Sequence, residues 1–249
     1  MTSPEHPMHL ALRTALVAAA LLASPALFAQ EAAIRKTLAE RLPQLKIDEV
    51  ARTPIAGLYE VRVGSDIFYS DDKGEHIVVR GAMIETRTRT DLTEARIERL
   101  LAIDFDKLPL KDAIVIRQGS GARRMAVFVD PNCGYCKRFE RDLVTVKDVT
   151  IYAFLLPILG PDSTVKASDV WCAKEPAKVW RAWMLDGVAP PKVSPRCDTA
   201  VLERNRDFAN KQRINGTPAV FFADGVRKAG AIPVEQVEKL LASAAAAKK

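Results

Sequence analysis

Apolar residues change their period several times along this chain, and each change marks a different kind of element. Ala15 to Ala23 is an unbroken apolar run behind Arg13, closed by Pro25. A bilayer span needs about 20 such residues, so the run is too short to anchor the chain. With the small residue Ala29 before Gln30 it reads as an export signal, residues 1–29, cleaved after Ala29. From Ala32 to Leu42 the period becomes helical, with Ile34, Leu38 and Leu42 on one side and Pro43 as the stop. Between Thr53 and Ile84 it shortens to alternation. Tyr59, Val61 and Val63 share a face, and the turn Asp71-Asp72-Lys73-Gly74 separates Ile67-Phe68-Tyr69 from Ile77-Val78-Val79, which predicts antiparallel strands. Asp91 followed by Glu94 starts another helix, carried by Leu92, Ile97, Leu100 and Leu101 to about Ile103.

Past the break Asp106-Lys107-Leu108-Pro109 the pattern alternates strand with helix. Met125 to Val129 is a buried-type strand, Cys136 to Leu143 a helix with Phe139 and Leu143 inward, and Val149 to Leu156 a second apolar strand. A helix-rich stretch from Ser163 to about Lys211 carries Trp171, Val179, Trp180, Trp183 and Met184 at helical spacing, which reads as core packing. Ala219 to Phe222, the hairpin signal Asp224-Gly225 with Val226, and a helix from Val234 to Leu241 close the chain. A βαβ half, a helical insertion, a hairpin and a last helix follow the order of a thioredoxin fold. The fold class is therefore mixed α+β and α/β. It comprises a small N-terminal α+β domain (30–89), a helical linker (90–107), and a thioredoxin-like domain with a helical insertion (108–249). The N-terminal core is thin for its surface and would gain from dimerisation.

Charge changes this picture little. The formal balance of +6 survives removal of the signal, which carries one acid, Glu5, and one base, Arg13. Basic residues are scattered among acids, which argues against nucleic-acid binding. Of the 3 histidines, His6 and His9 leave with the signal. His76, in the strand-like Glu75-His76-Ile77, reads as a solvent-side residue, and no metal site is expected.

The 4 cysteines carry the chemistry. Cys133-Gly134-Tyr135-Cys136 follows directly after a strand and opens a helix. Free N–H groups and the positive end of the helix dipole stabilise an anion there, which makes Cys133 the attacking thiolate. Cys136, one turn further in, is placed to resolve the mixed disulfide. Haem attachment would need His where Lys137 stands, and zinc would need a second pair of ligands at knuckle spacing. A purely structural bridge across so short a link at a helix mouth is strained and reducible. Thiol-disulfide exchange needs neither metal nor organic cofactor, so none is expected. Cys172 and Cys197 lie in the helical insertion. A bridge between them would stabilise by about 3 kcal/mol on the chain-entropy estimate; a second redox couple is the alternative. Gly216-Thr217-Pro218-Ala219 reads as a tight turn, with Pro218 a candidate cis-proline beside the Cys133 helix. Its backbone could pair with a substrate segment as an added strand.

These residues, together with Val170-Trp171-Cys172-Ala173-Lys174, resemble the periplasmic disulfide isomerases of the DsbC/DsbG type. Gly134-Tyr135, and Thr217 before the proline, resemble DsbC in particular. The resemblance implies a V-shaped homodimer joined through the N-terminal domains, with both active sites facing a shared cleft. It implies electrons from a DsbD-type membrane donor, action on misoxidised or unfolded exported proteins, and chaperone activity. It implies Cys172–Cys197 as the structural disulfide, Pro218 as the cis-proline, and Gly134, Tyr135, Thr217 and Pro218 as substrate-binding residues. Lys137 is a departure, since His is expected there in DsbC relatives. A DsbG-like reductase of sulfenylated cysteines and a mainly non-catalytic chaperone share the same framework and stay open.

Overall fold

Ile34 and Leu38 recur one helical turn apart, and both are fully buried in the first of two compact units. A computed structural model describes residues 24–192 and 196–247. It divides the chain into a unit ending at Ile97 and a unit beginning at Glu98. The apolar run that carries the export reading lies outside the described residues.

Helix α1 spans Ser24–Arg41. Its described part takes in residues before Ala32, where the apolar periodicity starts. The helix continues through Ala29-Gln30 without interruption. Four strands form an antiparallel sheet in sequence order: β1 (Glu49–Arg52), β2 (Leu58–Val63), β3 (Asp66–Asp71) and β4 (Ile77–Val79). Alternation turns Tyr59 and Val61 of β2 inward onto Ile34, Leu38 and Val50. The edge strand β4 leaves Val78 and Val79 exposed. A short ribbon of β5 (Ile84–Glu85) and β6 (Thr90–Asp91) leads into helix α2 (Leu92–Leu100). Asp91 Oδ1 accepts from Glu94 N at 2.8 Å, satisfying a free N–H of the first turn.

The break between units falls inside α2, between Ile97 and Glu98. Arg96 donates to Glu60 at 2.9 Å and Glu49 at 2.7 Å, both in the N-terminal unit. Glu98 is ion-paired with Lys228 of the C-terminal unit. The residue of α2 that is buried is Thr93, held against the Tyr69 hydroxyl, while Leu92, Ile97 and Leu100 are only half-buried.

The C-terminal unit is built on a five-stranded sheet in the order β11-β10-β8-β9-β7. These are β7 (Ile114–Gln118), β8 (Arg123–Val129), β9 (Val149–Leu155), β10 (Ala219–Phe222) and β11 (Arg227–Ala229). β8 and β9 run parallel across helix α3 (Gly134–Leu143), and β10-β11 is the antiparallel hairpin. Met125 through Val129 are all buried because both faces of the sheet are covered. Met125, Val127 and Val129 pack with Phe139 and Leu143 of α3 and Val237 and Leu241 of the last helix, α7 (Val234–Ala246). On the other face Phe128 stacks on Phe154 at 4.6 Å and meets Phe221 edge-on at 5.8 Å. The insertion supplies α4 (Pro161–Trp171), α5 (Pro176–Asp186) and α6 (Ala200–Lys211). Trp180 and Met184 enter the core fully, as their spacing suggests, whereas Trp171 and Trp183 stay partly exposed. This is the thioredoxin topology.

Candidate active site

The dithiol lies where β8 ends and α3 begins. The helix starts at Gly134, two positions before the start read from periodicity, so Cys133 is its N-cap. Cys133 Sγ accepts from Cys136 N at 3.3 Å, so the sulfur satisfies one of the N–H groups that the first turn leaves free. The Cys133 thiol donates to Thr217 O at 3.3 Å. The two cysteines are unequally placed: Cys133 keeps 6% of its surface exposed and Cys136 1%. Cys133 is therefore the more reachable of the two sulfurs. Burial pushes the Cys136 thiol well above the ordinary range, with the Asp130 backbone opposing in part. Gly134 is exposed, and Tyr135 is 70% exposed at the rim. Beside Tyr135 a shallow groove runs along Arg138 to Ile232 and Pro233 at the start of α7.

The Thr217–Pro218 peptide is cis. Pro218 O is taken by Gly230 N at 2.8 Å, and Thr217 O faces the Cys133 thiol. Among the described residues the Thr217 N–H has no protein acceptor. The structure thus brings Cys133, Cys136, Thr217 and Pro218 together, with Gly134 and Tyr135 beside them. Cys172 and Cys197 are not part of this cluster. They form a disulfide, with Cα atoms 6.0 Å apart, that joins the end of α4 to the segment before α6.

Several residues that shape the site carry no signal in the sequence. Asp130 is wholly buried at the end of β8. Its carboxylate accepts from Asn132 N at 2.7 Å, Ser163 Oγ at 2.8 Å, Ile158 N at 2.8 Å and Leu159 N at 2.9 Å. It thereby ties the loop that carries Cys133 to the loop after β9. Asn132 Nδ2 reaches Asp162 at 2.7 Å and Ser163 Oγ at 3.0 Å. Trp183 Nε1 donates to Pro131 O at 2.6 Å. One turn after Cys136 on α3, Glu140 is buried and accepts from Trp180 Nε1 at 3.1 Å. Burial pushes its carboxyl up, against the pull of Trp180 and Arg181. Arg181 Nε stands 3.6 Å from Glu140 Oε1, close enough for an ion pair and too far for a hydrogen bond.

Two family models match the chain: the disulfide bond isomerase protein N-terminal domain over residues 25–94, and a thioredoxin-like domain over residues 110–245. The thiol:disulfide interchange protein DsbC of Bordetella parapertussis is 44% identical over 212 residues, covering 85% of this chain and 74% of the relative. The chain belongs to the DsbC family. Thiol-disulfide interchange is its activity, carried by the thioredoxin-like domain. The DsbC of Escherichia coli is 27% identical over 228 residues, covering 89% of this chain and 92% of its own length. A disulfide interchange protein from Neisseria gonorrhoeae is 35% identical with a TM-score of 0.52, over 55% of this chain and 99% of that structure.

One cluster of possible cation ligands occurs among the described residues of this DsbC-family chain. Asp71, Glu75 and His76 bring ligand atoms within 4.8 Å of one another in the N-terminal unit. His76 Nδ1 is 2.8 Å from Asp71 Oδ2, and this hydrogen bond holds the Asp71 carboxyl down at about 2. The group is a solvated turn with its own internal pairing. No helix among the described residues is long and apolar enough to cross a membrane.

Proposed function

We propose that Cys133 is the nucleophile and Cys136 the resolving thiol of an isomerase and reductase acting on non-native disulfides in exported proteins. One observation carries the reading: Cys133 Sγ caps the N-terminus of α3 and keeps some exposure, while Cys136 is sealed in the core with its thiol held protonated by burial. In the first step the Cys133 thiolate attacks one sulfur of a substrate disulfide. The S–S bond breaks, Cys133 is joined to that sulfur, and the other sulfur leaves as a thiolate. In isomerisation a substrate thiolate then displaces Cys133 and forms a different substrate disulfide, with no net change in electrons. In reduction Cys136 loses its proton, attacks Cys133 Sγ and expels the second substrate thiolate. The substrate gains two electrons and a Cys133–Cys136 disulfide remains. A dithiol donor must then reduce that disulfide, the role assigned to a DsbD-type membrane protein.

The Thr217 N–H beside the cis peptide supports substrate pairing next to Cys133, with Pro218, Gly134 and Tyr135 bordering the opening. Periplasmic location follows from the export signal of residues 1–29. Homodimerisation through the N-terminal unit is supported by its small core and by the unpaired side of β4. Chaperone activity toward unfolded chains belongs to the same reading. Cys172–Cys197 serves as a structural staple of the insertion.

The test uses a substrate with scrambled disulfides. Cys133→Ala should abolish refolding and form no covalent adduct. Cys136→Ala should accumulate the mixed disulfide on Cys133, visible on a non-reducing gel. An adduct that maps to Cys136 in the wild-type chain would remove the assignment.

A further inference from the structure

Trp183 lies far from the dithiol in sequence, yet it touches the segment that bears it from both ends. Its Nε1–H donates to Pro131 O at 2.6 Å, two positions before Cys133. Its ring lies under the Lys137 ammonium, 4.1 Å from Nζ to centroid, and Lys137 is the residue directly after Cys136. A second ammonium, Lys166, lies 5.0 Å from the same ring. Two like charges at one ring repel unless one is neutralised, and Lys166 is: it is ion-paired with Asp162. Asp162 in turn accepts from Asn132 Nδ2 at 2.7 Å, next to Cys133. Lys137 is in no ion pair among the described residues, so the indole is what holds it. Lys137 N donates to Cys133 O at 3.0 Å, and residues four apart share one helix face. The residue bearing the held charge is therefore one backbone hydrogen bond from Cys133.

We infer that Trp183 is a positioning residue for the redox dithiol, holding the Pro131 carbonyl that sets the Cys133 loop and the Lys137 ammonium that favours the Cys133 thiolate. This rests on the reading of Cys133 as nucleophile. A fixed cation there stabilises the reduced dithiol relative to the Cys133–Cys136 disulfide, because only the reduced form carries the negative sulfur. A flexible ammonium in solvent does less, since water screens it.

The full chain is equilibrated with reduced and oxidised glutathione, and the dithiol fraction is read by maleimide gel shift, with the glutathione adduct mapped by mass spectrometry. Lys137→Met should move the equilibrium toward the disulfide by about two- to fivefold, the effect of one fixed charge at a helix end. Trp183→Leu should move it the same way, and the double variant no further than the larger single, because both remove the same interaction. Lys137→Arg should retain the wild-type equilibrium, since a guanidinium also stacks on indole. Trp183→Phe keeps a ring and loses the N–H donor. It should hold the equilibrium and slow mixed-disulfide formation, and it carries the test if Trp183→Leu does not fold. Additive shifts, or a Trp183→Phe chain unchanged in both rate and equilibrium, would overturn the inference. If the wild-type adduct maps away from Cys133, the underlying reading fails instead.

Discussion

Replacing Asp130 with alanine removes an acceptor on which four donors converge, and the structure allows the loss to be sized. The Ser163 hydroxyl bond is fully buried, while the bonds from Asn132, Ile158 and Leu159 N–H groups are only part-buried. Taking about 2 kcal/mol for the buried bond and about 0.5–1 kcal/mol for each donor that water can reach, Asp130→Ala should cost about 4 kcal/mol. All 3 tryptophans, Trp171, Trp180 and Trp183, lie in the C-terminal unit, so their fluorescence in urea follows that unit alone. The midpoint should fall by about 2 M at unchanged slope. The same loss frees Asn132 N–H next to Cys133, so the rate of mixed-disulfide formation under native conditions should drop about tenfold or more, as expected when a reacting group is displaced. Asp130→Asn keeps one acceptor oxygen and should fall between wild type and Asp130→Ala in both measurements. A midpoint shift below about 0.5 M together with an unchanged rate would refute the argument that this carboxylate organises the loop.

Two further outcomes follow from the core. Burial raises the Glu140 carboxyl above its ordinary value of 4.5, so the native state keeps a proton that the unfolded chain releases. Wild-type stability should then fall as pH rises from about 4.5 through the native titration, at up to about 1.4 kcal/mol per pH unit. Glu140→Gln removes that slope, and parallel urea profiles for the two chains across pH 4–8 would count against it. Phe128, packed against Phe154 and Phe221, should cost about 3–5 kcal/mol as Phe128→Ala, read from the same fluorescence transition; a cost under about 1 kcal/mol, less than the transfer of the ring alone, would refute its place in the core.

Much of this architecture is written locally. Alternation in Leu58–Val63, the continuous apolar run Met125–Val129 and the Asp224-Gly225 turn each impose a backbone conformation through neighbours only a few positions away, and the structure places strands and a hairpin there. Strand β7 was missed because Ile114-Val115-Ile116 shows no contrast between faces, although Val115 is exposed in the sheet.

The sequence by itself determined the local setting of the C-x-x-C pair: that a helix mouth would hold it, and that a strand, helix and strand order would surround it. Only the tertiary structure decided how that pair is held. Asp130 meets Ile158 across 28 positions and Trp183 meets Pro131 across 52. Bonds of that kind follow from how helices pack over a sheet, and nothing in the spacing of residues along the chain specifies which distant side chain will arrive.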